Sequence, residues 1–277
     1  SKNLLEFIQA IKSNFLLIDP MDEWLDPSQT ATDNLVASPE TICSQLLQLE
    51  LKSAPDEWLG RFLQAERQCE KQLNQVITEE SPLFEADIIN ALINSVPDET
   101  MIFSGNSMAI RDLDSFMTSQ MPTDKNIQLY CNRGVSGIDG NLSSYFGLLA
   151  GKTYCYTIAV LGDLSFYHDM NGLLNSRTLS DQGCQGSIIL VNNHGGGIFD
   201  YMPQSQLDAY EKLWKTDTRL DFQHCARLYG LNYQRIEHKQ QLNSELGKLF
   251  KQPGFNLVEI IIDTQTSIEW HQRCLNA

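Results

Sequence analysis

Short apolar runs alternate with longer amphipathic stretches over most of this chain. Residues 100–103, 127–130, 154–161, 187–191, 233–236 and 256–262 are compact and apolar and read as strands. Between them, residues 84–93, a stretch from 108 to about 118, 140–149, 220–229, 240–250 and a segment from Ser267 have helical periodicity. Strands that are apolar throughout and separated by helices predict an α/β fold, a doubly wound parallel sheet with helices on both faces. The first fifty residues follow a different pattern. Leu4, Leu5, Ile8 and Ile11 have helical spacing, 15–18 is a short strand stopped by Asp19-Pro20, and 24–33 is turn-rich. Ser38-Pro39-Glu40 then starts a helix to about residue 51, with Ser38 as N-cap and Pro39 in the first turn. This partial α/β segment is too small for an independent core. Residues 54–80 place Trp58, Phe62, Leu63, Cys69, Leu73 and Val76 among many charges, which predicts a linker helix. The expected division is therefore 1–53, a remnant of a preceding domain; 54–80, the linker; and 81–277, the main domain. There is no internal repeat and no low-complexity tract.

Composition narrows the function. Asp and Glu number 35 against 20 Lys and Arg, a formal net charge of −15, which argues against nucleic acid or an anionic membrane as partner. An anion site in such a chain must rest on individual arginines. The seven cysteines are odd in number, lack a C-x-x-C pair and lie partly in apolar runs such as Tyr154-Cys155-Tyr156. They read as reduced core thiols in a cytoplasmic setting. No stretch reaches the roughly 18 apolar residues of a membrane helix, and no targeting peptide is legible.

The chemistry gathers at two strand ends. Gly162-Asp163 leaves the strand 154–161 and Asn192-Asn193 leaves the strand 187–191, with room between for one helix to cross over a parallel sheet. Both ends then face the crevice at the carboxyl edge of the sheet, where ligands bind. Asp163 offers a carboxylate, Asn193 an amide oxygen and Gly195 a backbone carbonyl. A few hard oxygen donors with room left for phosphate suit Mg²⁺, or Mn²⁺, on a diphosphate. Asn192 competes with Asn193, and Asp163 also reads as a helix cap. Gly195-Gly196-Gly197 is either a flexible turn or a close backbone approach to a ligand. Ser136-Gly137-Ile138-Asp139-Gly140 is a tight turn entering a helix. Arg111 and Arg133 each closely follow a strand on the same side of the sheet, and arginine binds carboxylates bidentately. His168 and His194 carry no expected acid–base role, the other histidines lack metal-ligand spacing, and no nucleophilic Ser or Cys motif is present.

Four strings occur in order: G-N-S-M-A-I-R-D at 105–112, N-R-G-V-S-G-I-D-G at 132–140, G-D-L-S-F-Y-H-D-M-N-G-L at 162–173 and N-N-H-G-G-G-I-F at 192–199. The last two resemble the motif of thiamine-diphosphate-dependent enzymes. All four together resemble one family among them, the 2-succinyl-5-enolpyruvyl-6-hydroxy-3-cyclohexene-1-carboxylate synthases of menaquinone and phylloquinone biosynthesis. The resemblance covers roughly 82–262 and, more weakly, the whole chain, with 1–53 as the end of the family's middle domain.

The resemblance implies thiamine diphosphate and Mg²⁺ as cofactors. It places Ser136, Gly137 and Ile138 on the cofactor, with Ile138 as an apolar support for its bent shape. Gly162, Asp163, Leu164, Ser165, Asn193, Gly195 and Gly196 would hold the diphosphate end, and Asp163, Asn193 and Gly195 the metal. Arg111 and Arg133, with Ser107 beside Arg111, would bind substrate carboxylates, and Ile198 and Phe199 would wall the pocket. The implied reaction is a transferase's: 2-oxoglutarate is decarboxylated and its succinyl unit added to isochorismate. The family's catalytic glutamate lies in an amino-terminal pyrimidine-binding domain of a partner subunit, outside these residues. The expectation is a homodimer or dimer of dimers and little activity from this chain alone. The family more often has a longer side chain where Gly197 stands, so a looser loop is expected. The alternatives are another thiamine-diphosphate enzyme (acetolactate-synthase-like or a 2-oxoacid decarboxylase), a non-catalytic diphosphate-binding module, and an interaction fragment without a ligand.

Overall fold

The computed structural model describes residues 2–11, 13–117, 125–151, 154 and 156–277. Cys155 and the expected helix end at residue 118 lie outside the described residues. The chain divides into two compact units, Ser1–Phe62 and Leu63–Ala277.

The first unit contains α1 (Lys2–Ala10), β1 (Leu16–Ile18), β2 (Asp33–Leu35) and α2 (Pro39–Leu46). β1 and β2 pair in parallel. Asp19 ends β1 because its carboxylate accepts the N–H groups of Met21, Glu23 and Trp24, which folds the chain back. β2 is a three-residue Asp-Asn-Leu strand that no apolar run announces. The Ser38 hydroxyl accepts the Thr41 N–H and Pro39 occupies the first turn, as the sequence predicts. The helix stops at Leu46, earlier than periodicity suggests. α3 (Asp56–Val76) crosses the boundary between the units.

The second unit is built on six strands: β3 (Thr100–Ser104), β4 (Ile127–Cys131), β5 (Tyr156–Gly162), β6 (Gly186–Asn192), β7 (Asn232–Ile236) and β8 (Phe255–Ile261). They form one parallel sheet in the order β4-β3-β5-β6-β8-β7. Its helices are α4 (Glu85–Ser95), α5 (Met108–Phe116), α6 (Asn141–Gly151), α7 (Asp163–His168), α8 (Asn175–Asp181), α9 (Tyr210–Leu213), α10 (Phe222–Tyr229), α11 (Lys239–Leu249) and α12 (Thr264–Leu275).

Side chains alternate across the strands, so the sheet divides the core in two. Tyr156, Ile158 and Val160 of β5 join Ile88, Leu92, Leu113 and Leu246 on one face. Ala159 and Leu161 join Phe146, Phe166 and Phe222 on the other. The central strands β3, β5, β6 and β8 are buried on both faces, which is why they read as largely apolar runs, whereas the edge strands β4 and β7 are partly exposed. The expected doubly wound sheet is the fold.

Two expectations need correction. The single helix between Asp163 and β6 is broken into α7, a 3₁₀ turn at Met170–Leu174 and α8. Asp169 turns aside to accept the N–H and hydroxyl of Ser143 at the start of α6. Gly172 passes so close to α6 that a Cβ there would lie 2.9 Å from the Ser143 hydroxyl. The six described cysteines are free thiols, but they are not uniformly core residues. Cys225 is buried, Cys184 and Cys274 are half-buried, and Cys43, Cys69 and Cys131 are exposed. Cys43 and Cys69 lie on outer faces of helices and Cys131 ends an edge strand, positions that a lone apolar letter in the sequence does not reveal.

Candidate active site

From β3 the chain passes outward to β4, then returns to place β5 on the other side of β3. The sheet's direction of winding therefore changes between β3 and β5, and the crevice beyond their carboxyl ends is the expected ligand position. A cleft of about 360 Å³ opens there. Ser107, Arg111, Arg133, Ser136, Gly137, Ile138, Gly162, Asp163, Leu164, Ser165, Asn193, Gly196, Ile198 and Phe199 all line it. Gly195 does not line it but acts on it from behind.

Asp163 is buried at the first position of α7. Its Oδ1 accepts the Leu164 N–H and its Oδ2 the Gly195 N–H, both at 2.8 Å, so it ties the end of β5 to the glycine loop after β6. Burial raises its pKa, and the two N–H groups pull it back down. The Asn-Asn pair divides its work. Asn192 is fully engaged: its Nδ2 donates to Glu259 at 2.6 Å and its Oδ1 accepts the His194 N–H. Asn193 has a buried Oδ1 with no hydrogen-bond partner. A buried acceptor left bare is costly unless a ligand completes it. Asn193, not Asn192, is therefore the amide whose oxygen is available to a ligand. Among the described residues no three His, Cys, Asp or Glu side chains cluster to hold a metal. One carboxylate and one amide oxygen suit a hard cation that keeps water or phosphate oxygens in its other positions.

The glycines are required by space. A Cβ on Gly195, whose φ is +133°, would meet the backbone of Thr216 and Asp217 at 2.9 Å. The Gly195 carbonyl, the expected third metal donor, accepts the Thr216 N–H at 3.2 Å. A Cβ on Gly197 would lie 2.5 Å from Asn193 Nδ2. The loop is thus packed against Asn193 at this position, contrary to the looser turn expected. Gly197→Ala is predicted to displace the Asn193 amide and weaken divalent-cation binding by about 10- to 100-fold, as loss of a supporting contact does. A cation titration followed by calorimetry checks this.

Glu259 on β8 is a second support. It is buried, accepts from Asn192 through Oε1 and from the Tyr233 hydroxyl through Oε2. Glu259→Leu removes both acceptors, so the Asn192 Nδ2 and the Tyr233 hydroxyl each lose the oxygen they donate to. The expected cost is about 1–3 kcal/mol for each buried group that stays unpaired, read from a urea midpoint.

The turn after β4 is held from two sides. Asn106 Nδ2 donates to the Gly137 carbonyl at 2.7 Å, and Asn141 Nδ2 donates to the same carbonyl and to the Ser165 hydroxyl. The Ser165 hydroxyl donates to the Ile138 carbonyl at 3.2 Å. This fixes the backbone beneath Ile138 while its side chain stays 39% exposed at the cleft. Arg133 Nη1 donates to Asn106 Oδ1, and Arg111 Nη1 to the Ser107 carbonyl. Among the described residues neither arginine pairs with a carboxylate within salt-bridge distance. Two guanidinium groups therefore face one cleft without ion-pair partners in a strongly acidic chain, an arrangement suited to anions. Ser107 adopts φ +68°, a strained conformation for a residue with a side chain and one that concentrates at functional sites. Phe199 packs tilted against Trp214 with ring centroids 5.3 Å apart and lines the cleft beside Ile198. His168 ends α7 and does not line the cleft, and His194 is exposed.

Sequence reasoning missed Glu85, Asn106, Met108 and Asp112, which also line the cleft. Asn106 stands inside a quoted motif and was legible there. Glu85 stands in no such string, and Asp112 only closes one.

Two family models match the chain. Residues 1–104 match one described as the middle domain of thiamine pyrophosphate enzymes, and 121–260 match the thiamine pyrophosphate enzyme C-terminal TPP binding domain. Similar curated proteins carry the name 2-succinyl-5-enolpyruvyl-6-hydroxy-3-cyclohexene-1-carboxylate synthase. One from Bacillus velezensis is 35% identical over 94% of this chain and 44% of its own length. One from Oceanobacillus iheyensis is 32% identical over 98% of this chain and 46% of its own. One from Dechloromonas aromatica is 35% identical over 94% and 44%. The chain spans less than half the length of these relatives.

Proposed function

The chain belongs to the thiamine pyrophosphate enzymes and carries their C-terminal cofactor-binding domain, and from that premise we propose that it holds thiamine diphosphate on Mg²⁺ for synthesis of 2-succinyl-5-enolpyruvyl-6-hydroxy-3-cyclohexene-1-carboxylate. The observation that carries the reading is the buried, partnerless Oδ1 of Asn193 beside the Asp163 carboxylate at the switch point of the sheet. Asp163 and Asn193 would hold the cation that neutralises the diphosphate, with Mn²⁺ able to replace Mg²⁺. Ser136, Gly137, Gly162, Leu164, Ser165 and Gly196 line the cleft and would border the cofactor, and Gly195 acts through its N–H on Asp163. Ile138, on its doubly anchored turn, would give the cofactor an apolar support.

Bound thiamine diphosphate supplies a nucleophilic carbon able to decarboxylate a 2-oxo acid and pass on the remaining acyl unit. The chain's own residues bind and orient. Arg111 and Arg133 clamp the carboxylates of 2-oxoglutarate and isochorismate, Ser107 borders the same position, and Ile198 and Phe199 exclude water from the reacting end. A pyrimidine-binding domain with its activating glutamate completes the site from a partner subunit, in a homodimer or dimer of dimers. In this reading residues 1–53 end the middle domain, 54–80 link it to the cofactor domain, and the enzyme works in the cytoplasm. No helix among the described residues is long and apolar enough to cross a membrane.

Calorimetric titration of thiamine diphosphate into this chain tests the reading. Binding is expected with Mg²⁺ and not with EDTA, and ADP is expected to compete poorly. Metal-independent binding, or equal competition by ADP, would replace the reading with a generic diphosphate module. Turnover by the chain alone at the rate of a complete enzyme would remove the need for a second domain.

A further inference from the structure

Behind the arginine side of the cleft lies a buried cluster drawn from four elements. Glu85 opens α4, Asp112 lies in α5, Ser267 and His271 lie in α12, and Tyr201 ends the turn after the glycine loop. Glu85, Asp112, Ser267 and His271 are all buried, yet Glu85 and Asp112 both reach the cleft wall.

The hydrogen bonds fix where the protons lie. His271 Nδ1 is 2.8 Å from the Ser267 carbonyl, which can only accept, so Nδ1 carries a hydrogen. His271 Nε2 is 3.0 Å from Asp112 Oδ1, and that contact needs a second proton between them. Asp112 and His271 together therefore hold one proton more than a carboxylate and a neutral imidazole, and the pair is electrically neutral. Tyr201 lies 3.1 Å from His271 Nδ1 and 3.0 Å from the Ser267 hydroxyl, and that hydroxyl approaches both Glu85 oxygens at 2.8 Å. A single serine hydrogen thus serves both oxygens of Glu85. His271 Nδ1 is 3.8 Å from Glu85 Oε2, and its hydrogen is already committed to the serine carbonyl. On its own helix, the nearby Asp87 is paired with Lys239 at 2.7 Å, so that cation is occupied. Arg111 acts on Asp112, and the Tyr201 hydroxyl is held neutral by burial.

We propose that Glu85 serves the cleft as a carboxylic acid, a hydrogen-bond donor that selects ligands presenting a carboxylate or carbonyl oxygen opposite Arg111 and Arg133. This rests on the reading of the cleft as a 2-oxo acid site and adds the residue that makes recognition depend on a proton. A carboxylate at position 85 would repel an anionic substrate, whereas the acid bonds to it. Burial, and then the charge of Asp112, raise Glu85 to about 7, with His271 pulling the other way.

Two measurements on the chain test this. Infrared spectra are expected to show a protonated carboxyl band that titrates around neutral pH, disappears in Glu85→Gln and moves to lower pH in Asp112→Asn. Absence of the band, or its persistence in Glu85→Gln, overturns the acid. Calorimetry with 2-oxoglutarate is expected to show affinity falling roughly tenfold per pH unit above the Glu85 titration. Glu85→Gln, whose amide also donates, is expected to stay flat. A flat wild-type profile overturns the donor role. An infrared band with no 2-oxoglutarate binding at any pH leaves the acid standing and overturns the substrate assignment.

Discussion

Asp163→Ala is expected to abolish metal-dependent binding of thiamine diphosphate, with a loss beyond about 100-fold, more than removal of an outer supporting group costs. The same change frees the buried Gly195 N–H, which now donates to Asp163 at 2.8 Å. The ligand-free chain should therefore also lose about 1–3 kcal/mol. Asn193→Ala supplies the contrast. Its Oδ1 has no partner, so removing it should cost the ligand-free chain little or stabilise it, while cation binding still fails. Calorimetry and urea unfolding on both variants check the pair. If Asn193→Ala proves as destabilising as Asp163→Ala, the bare oxygen is not held ready for a ligand. If either variant keeps full affinity, the two residues are not the metal's donors.

His271→Ala should be the most destabilising single change in the second unit. It removes the group that neutralises Asp112 and leaves two buried carboxyls side by side; breaking a buried pair in this way costs about 3–5 kcal/mol. The penalty carries a pH signature. Glu85 has its folded pKa raised from 4.5 to about 7, so its contribution is fully present below 4.5 and is lost as pH rises through about 7. Asp112 is also raised, chiefly by burial, and acts in the same direction. Burial opposes the His271 cation, but Asp112 and Glu85 outweigh it and raise its pKa, so its contribution is likewise lost as pH rises through the raised value. The wild-type urea midpoint should therefore fall from mildly acid to mildly alkaline pH. The His271→Ala penalty should be smallest in acid, where both carboxyls hold protons. A penalty equal at about pH 5 and about pH 8 would show that packing, not charge, is what His271 supplies.

The fold was legible because both faces of the sheet are buried. Runs such as Ile158-Ala159-Val160-Leu161 are apolar at every position, so strand and parallel sheet could be read together. The broken crossover was not legible, because it depends on Asp169 reaching Ser143 in another helix. β2 was missed because three residues paired to β1 need no apolar pattern of their own.

That Asp163, Asn193, Arg111 and Arg133 would meet at one cleft was legible because strand ends place them and each stands in a recognisable string. The residues alone left Asn192 and Asn193 open and the family resemblance favoured Asn193; the structure adds the physical reason, since Glu259 and the His194 N–H occupy Asn192. Gly197 was misread as slack because its constraint is a side chain four residues back in a folded loop. The Glu85, Asp112 and His271 cluster lay beyond any local reading. Its members come from three helices far apart in the chain, and only packing brings them together.

The strand order carries a consequence for how the molecule is made. β8 lies between β6 and β7, and β7 pairs with no other strand among the described residues. During synthesis β7 emerges first but has nowhere to dock until residues 255–261 have followed it. Until then β6 is a bare edge along Ser187-Ile188-Ile189-Leu190, an apolar template for pairing with the wrong chain. The strand leading into Asn193 is therefore, together with β8, the last in the sheet to gain both neighbours. A ribosome paused within the stretch from β7 to β8 would hold out the most aggregation-prone form of this protein.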